Sequence, residues 1–282
     1  MKFRVEVPQK LLAFLRARCG EKHSVKSIKR SIDEKRCLVN GKIERISTRT
    51  LQTGDLVEID LSFGKVLPPQ ILYEDEVLLV VNKPPGVICE NEIWNQLFPQ
   101  FEGKLLLIHR LDKETSGALL LAKLPEFKEK MIELFRKRTI KKYYLAIVSG
   151  RVAKKMGKIE SFLVKKGVRH GQTVWGSQRN GREEDCAITL WDRLTNSETA
   201  SLLLCELITG RTHQLRVHLS ELGHPILGDT LYGKFFTQLP VLRRQLLHAS
   251  ELRFIHPITQ KEVEIKAPLP EDFLQIKKAL SL

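Results

Sequence analysis

No apolar run in this chain approaches the roughly 18 residues that a membrane span requires. The longest candidate, KLLLIH at 104–109, is far too short, so no membrane helix is expected. The opening MKFRVEVPQK has neither an apolar core nor a small-residue cleavage site, so no signal peptide is expected and the cytoplasm is the default compartment. Cysteine is sparse, odd in number and scattered: Cys19, Cys37, Cys89, Cys186 and Cys205, with no CxxC pair. That excludes the usual zinc and disulfide frameworks, and the five read as small buried hydrophobes. There is no internal repeat and no low-complexity tract, and no motif asks for a cofactor or a metal.

What the chain has in excess is positive charge. A formal net of +14 suggests a polyanionic partner, because Lys and Arg gain affinity by releasing counterions from phosphates. Residues 1–65 hold 15 Lys and Arg against 8 Asp and Glu, half of that excess in under a quarter of the chain. Gly64, Pro68 and Pro69 in SFGKVLPPQ mark a seam near residue 66, predicting a domain over 1–65 and a larger one over 70–282.

The first region reads as two helices and then short strands. Pro8 suits the first turn of a helix that LLAFLRARC continues. Ser24 suits an N-cap, after which Val25, Ile28 and Ile32 line one helix face and Lys26, Lys29 and Arg30 the other. Asn40-Gly41 predicts a tight hairpin turn, and TGDLVEID a turn feeding an alternating strand. The stretches SVKSIKRSIDEKRCLVNGK and LQTGDLVEI resemble the RNA-binding domain of the ribosomal protein S-four type. That resemblance implies RNA contact through Lys26, Lys29 and Arg30, whose phosphate contacts would orient without reading sequence. Read without it, the region is a small α/β domain with a solvated basic face.

From residue 70 the pattern is strand-rich. An apolar strand ends in Lys83-Pro84-Pro85-Gly86, KEKMIELFRKR is an amphipathic helix, and TIKKYYLAIVSG, GKIESFLVKK, CAITLWDRL and ASLLLCELITG are further strands. RTHQLRVHLSELGHP reads as a helix closed by Gly223 and Pro225. Many strands with few helices between them predict a mostly antiparallel α+β fold.

Two segments could carry chemistry. In LLLIHRLDKETSGALLLAK, two apolar runs hold a polar loop presenting Asp112 beside Arg110 and Lys113. On composition alone, a salt-bridged hairpin loop is the better account of it. In ITGRTHQLRVHLSELGHPILGDTLYG, Arg211 and Arg216 could meet a phosphate or a carboxylate. His213, His218 and His224 lack the i, i+4 pairing and the HExxH glutamate of a zinc helix, so hydrogen-bonded structural roles are expected. A kinase reading fails because HRLDKETSG places leucine between Arg and Asp, with no Gly-rich loop before it and no DFG after. A two-carboxylate glycosidase lacks a second acid near Asp112.

Together VVNKPPGV, LIHRLDKETSGALLLAK, KKYYLAIVSG, CELITGRTHQLRVHLSELGHPILGDTLYG and LLHASELRFIHPITQKEVEIKAPLP resemble the RluA-type pseudouridine synthases, from about residue 70 to 272. The resemblance implies a mostly antiparallel catalytic domain isomerising uridine in RNA, without a cofactor, as a monomer. It implies Asp112 as the catalytic aspartate, Arg216 as its basic partner, Leu215 packed near the base and Arg110 helping to displace or replace the flipped nucleotide. It implies Tyr144 as the active-site tyrosine, the following LAIV choosing it over Tyr143. The chemistry agrees: a carboxylate suits a sugar carbon at which positive charge develops, and a target inside a stack has to be flipped out. The 26 positions from Lys83 to His109 are few for this family, so ENEIWNQLFPQFEGK reads as a loop with RNA contacts of its own. The polar GVRHGQTVWGSQRNGREED has no assigned contacts. The rival class is a non-catalytic RNA-binding or ribosome-assembly protein on the same fold. The expected RNA is ribosomal, large subunit first, with tRNA second.

Overall fold

The computed structural model describes residues 1–33, 36–61, 69–169, 172–233, 242 and 244–282. The chain separates into two compact units, one built on Met1–Leu67 and the other on Pro68–Thr237 with Arg244–Leu282. The seam expected near residue 66 lies outside the described residues.

The first unit contains β1 (Lys2–Arg4), β2 (Gln9–Lys10), α1 (Leu11–Cys19), α2 (Val25–Asp33), β3 (Cys37–Val39), β4 (Lys42–Ile43), β5 (Thr50–Leu51) and β6 (Leu56–Ile59). Its strands pair in the order β1-β6-β3-β4, with β2 on β5. Ser24 caps α2: its Oγ accepts from the Ser27 N–H at 3.1 Å, as Asx and Ser side chains do for orphan amides. Asn40 and Gly41 both hold positive φ between the paired Val39 and Lys42, the two-residue turn expected there. Two expectations are corrected. Helix α1 starts at Leu11 because Gln9 and Lys10 pair with β5, leaving Pro8 outside its first turn. Val25 opens α2 exposed, so Ile28 and Ile32 alone of the three reach the core.

The second unit contains β7 (Ile71–Glu74), β8 (Leu78–Lys83), α3 (Asn91–Leu97), β9 (Leu106–Leu107), β10 (Ser116–Ala122), α4 (Pro125–Arg136), β11 (Lys141–Ser149), β12 (Met156–Arg169) and β13 (Gln172–Gln178). It continues through β14 (Cys186–Asn196), β15 (Ala200–Leu207), α5 (Gln214–Glu221), β16 (Leu247–Ile255), β17 (Glu262–Lys266) and α6 (Glu271–Ala279). The strands form one sheet in the order β13-β12-β14-β15-β11-β16-β10-β8-β7, with β17 on β16 and β9 on β10. Among the described residues every pairing is antiparallel except β10 with β16. The fold is α+β, as expected.

The unbroken apolar runs of β8 and β10 follow from burial on both faces. Leu79, Val81, Leu119 and Leu121 pack with Trp94, Phe98, Leu215 and Leu219 on one side. Leu78, Val80, Ala118 and Leu120 pack with Phe127, Met131, Phe254 and Ile265 on the other. At the start of β10, Gly117 has φ +116, and a Cβ there would lie 2.1 Å from the Ala249 carbonyl oxygen. Only glycine lets β16 approach so closely. The segment 90–104 is not a loop: α3 buries Trp94, and Asn91 and Asn95 side chains accept from the Leu107 and Leu105 N–H groups. In the polar stretch after residue 167, Val168 and Arg169 of β12 pair with Thr173 and Gln172 of β13. Among the described residues no helix is long and apolar enough to cross a membrane.

Two fully buried histidines make this unit sensitive to acid. Nε2–H of His248 donates to the Ala267 carbonyl, leaving Nδ1 facing the Ser116 hydroxyl, while His218 lies between Thr189 and Ser161 hydroxyls. Burial pushes both down to about 4 from the ordinary 6.5. Between those values the unfolded chain binds more protons than the folded one, so stability is full above about pH 6.5 and falls as pH drops toward 4. Each histidine contributes a slope of about 1.4 kcal/mol per pH unit. Urea unfolding between pH 7 and 4.5 should show this, and His248→Gln should remove its own share of about 1.4 kcal/mol per pH unit. A flat profile would count against neutral burial.

Candidate active site

The loop between β9 and β10 is pinned on both sides of Asp112. The Leu111 N–H donates to Cys89 Sγ at 3.4 Å, and the Leu120 N–H to His109 Nε2 at 3.1 Å. The Thr115 N–H closes a turn onto the Asp112 carbonyl at 3.0 Å. Lys83, fully buried at the end of β8, donates from Nζ to the carbonyls of Pro84 and Lys113, both at 3.0 Å. The Gly86 N–H of the Lys-Pro-Pro-Gly turn reaches the same Lys113 carbonyl at 2.7 Å. Burial pushes the Lys83 ammonium down to about 8. A buried lysine is thus spent on holding the carbonyl next to Asp112.

Asp112 is 28% exposed at its side chain, and its neighbours converge on one oxygen. Oδ2 accepts from Arg216 Nη1 at 3.1 Å and from Gln245 Nε2 at 3.4 Å, and lies 3.9 Å from His213 Nε2. Oδ1 has no hydrogen-bond donor among the described residues.

Arg216 is shared rather than dedicated to Asp112. Its Nε donates to Asp229 Oδ2 at 2.7 Å and its Nη2 to Asp229 Oδ1 at 3.0 Å, a two-pronged pair with the side chains 9% and 1% exposed. Asp229 also accepts from the Leu231 and Tyr232 N–H groups. Burial disfavours both charges, yet the hydrogen bonds and mutual attraction prevail, holding Arg216 above and Asp229 below their ordinary values. The Asp229 segment is fixed to β11 by the Leu227 N–H on the Ile147 carbonyl. The Tyr232 ring lies 5.1 Å from the guanidinium, and its hydroxyl bonds His213 Nδ1 at 2.8 Å and accepts from the Trp175 N–H at 2.9 Å. His213 stands just before α5 with φ +57, a left-handed conformation rare outside glycine.

Tyr144 lies in the core cluster with Leu111 and Leu215. Burial, then the charge of Asp112, raises its phenol, which therefore stays neutral. Tyr143 faces away, under the Arg253 guanidinium at 5.8 Å. Arg110 is exposed beside the loop. The structure thus brings together Asp112, Arg216, Tyr144 and Leu215, with Arg110 at the same loop. Lys26, Lys29 and Arg30 are exposed on α2 of the other unit. The three histidines weighed for zinc bond to Tyr232, to Ser161 and Thr189, and to the Ser149 carbonyl. Asp229, Tyr232, Gln245 and Lys83 were not predicted. A buried arginine offered more donors than Asp112 could accept, and that surplus was the available signal for Asp229.

Residues 77–221 match the family model described as RNA pseudouridylate synthase. The chain is 36% identical over 238 residues to ribosomal large subunit pseudouridine synthase D of Zymomonas mobilis, covering 77% of this chain and 74% of that one. It is 35% identical over 254 residues to ribosomal large subunit pseudouridine synthase C of Pasteurella multocida, covering 84% and 76%. Human RNA pseudouridylate synthase domain containing 4 superposes with a TM-score of 0.63 at 30% identity, covering 75% of this chain and 92% of that structure. On sequence and fold together, the chain belongs to the RNA pseudouridylate synthase family and is an RNA-modifying isomerase.

Proposed function

We propose that this enzyme converts uridine to pseudouridine in large-subunit ribosomal RNA, with tRNA the second candidate, and that Asp112 carries the chemistry. The reaction breaks the N1–C1′ bond, turns the uracil and joins C5 to C1′, with a proton lost from C5 and one gained at N1. The observation that carries this reading is the divided Asp112 carboxylate, with Oδ2 held by Arg216 and Gln245 and Oδ1 left open. A carboxylate aimed in this way suits a sugar carbon at which positive charge develops. Tyr144 offers a neutral aromatic face to the uracil, Leu215 packs beside it, and exposed Arg110 occupies the gap left by the flipped nucleotide. The two relatives named as large-subunit ribosomal enzymes support the choice of RNA. The cytoplasm is the compartment this reading implies, and a monomer with no cofactor suffices for it.

The first unit serves as an RNA-binding domain of the ribosomal protein S-four type. Its exposed Lys26, Lys29 and Arg30 suit a phosphate backbone. Replacing Lys26, Lys29 and Arg30 together by glutamine should flatten the dependence of log K on log salt by up to about 2–3. An unchanged slope in fluorescence anisotropy would exclude this face from binding. The activity itself is tested with an unmodified large-subunit ribosomal RNA transcript labelled with tritium at uridine C5. Tritium release supports the reading, whereas no release from ribosomal RNA, tRNA or total cellular RNA overturns it.

A further inference from the structure

Lys142 on β11 is a buried cation with no carboxylate partner among the described residues. Only 8% exposed, it donates from Nζ to the Thr209 carbonyl at 3.2 Å and lies 5.5 Å from the Phe135 ring centroid. An ammonium carries three donors, so one carbonyl leaves it under-satisfied. The charged and titratable groups that act on it are Arg211 and Arg138, both positive, and its own charge acts in turn on His109. No carboxylate pairs with Lys142, Arg211 or Arg138 among the described residues. Arg211 donates its Nε to the Cys186 carbonyl at 3.0 Å and has no further partner there for its two terminal nitrogens. A Cβ on Gly210, between Thr209 and Arg211, would sit 3.5 Å from the Lys142 Nζ, so the ammonium lies against this segment. A desolvated cation costs several kcal/mol unless it is paired, and here its neighbours add repulsion. Burial and those two arginines push the Lys142 ammonium down to about 8.

The cluster shares its chain segments with the active site. His109 is three residues before Asp112, and Arg211 is two before His213 and five before Arg216. We propose that Lys142 and Arg211 form a phosphate-binding subsite that takes a backbone phosphodiester of the RNA next to the target uridine. It rests on RNA being the substrate and adds an anchor that Asp112 and Tyr144 do not supply. A phosphodiester fills the missing acceptors of Lys142 with charged oxygens and meets the planar fork of Arg211. Holding a phosphate beside the flipped nucleotide fixes the sugar against the carboxylate, which is positional rather than chemical catalysis.

The test is the salt dependence of binding to the ribosomal RNA transcript, for wild type, Lys142→Met, Lys142→Arg and Arg211→Gln, each first checked for an unchanged circular dichroism spectrum. Loss of one phosphate contact lowers the slope of log K on log salt by about 0.7–0.9, so affinity drops by up to about eightfold at 0.1 M salt and hardly at 1 M. Lys142→Met and Arg211→Gln are expected to show this, and Lys142→Arg to keep the wild-type slope. Slopes equal to wild type in both neutral variants overturn the subsite. So does an equal loss in Lys142→Arg and Lys142→Met, which would mark a packing role. If Lys142→Met does not fold, Arg211→Gln decides alone. Should inorganic phosphate, matched in ionic strength with chloride, stabilise wild type but not the neutral variants while their RNA slopes stay unchanged, the pocket takes free phosphate and RNA is overturned as the source. Tritium release by wild type, followed in parallel, reports separately on the isomerase reading.

Discussion

Asp112→Asn is expected to abolish pseudouridine formation while leaving RNA binding within a few-fold of wild type. The substitution keeps the size and shape of the side chain and removes its charge. The amide oxygen can still accept from Arg216 Nη1, and Arg216 keeps both bonds to Asp229, so the fold has no reason to change. What is lost is the anionic oxygen at the Oδ1 position, replaced by an NH2 group that is neither nucleophile nor stabiliser of positive charge. Removal of a reacting group typically costs roughly 10⁴-fold or more in rate. Tritium release under single-turnover conditions with saturating RNA reads the chemical step directly. Anisotropy with the same RNA reads binding, and the two together separate an inactive enzyme from an unbound one. A variant retaining a tenth of the wild-type rate would remove Asp112 from the chemistry.

How much of this was legible in the sequence follows from how local each feature is. The Asn40-Gly41 turn, the Ser24 cap and the glycine after α5 depend on a few neighbouring residues, and all three formed as expected. The apolar runs either side of Asp112 were legible because β10 is buried on both faces and leaves no polar position to confuse the pattern. The segment 90–104 was misread because Asn91, Asn95 and Glu90 look like loop residues. Two of those polar side chains in fact satisfy the Leu105 and Leu107 backbone while Trp94 fills the core. The C-terminal helix α6 lies beyond the last patterned segment and had no expectation attached to it. In the site, Asp112 and Arg216 are 104 residues apart and Gln245 is 133 from Asp112, joined only by the order of the sheet. Family resemblance supplied the first pair; nothing local announced the others.

Asp229→Asn should have the largest effect on stability. Asp229 is 1% exposed and holds a 9% exposed Arg216 through two bonds, so its removal leaves a buried guanidinium balanced by one bond to Asp112. The asparagine oxygen can retain the Leu231 and Tyr232 N–H bonds and the Arg216 Nη2–H, but its NH2 then faces Arg216 Nε–H, donor against donor. Breaking a buried pair from one side costs about 3–5 kcal/mol, which in a chain of this size lowers the melting temperature by roughly 6–20 °C. Activity should fall as well, through kcat more than KM, because Arg216 loses the support that aims it at Asp112. The double variant Arg216→Met/Asp229→Leu separates these effects. Removing both charges together leaves neither buried alone, so it should melt above either Asp229→Asn or Arg216→Met. It should nonetheless remain inactive, since Asp112 Oδ2 has then lost its guanidinium. If Asp229→Asn melts with wild type, the pair is not what holds Arg216. If the double variant is active, Asp112 does not need Arg216 at all.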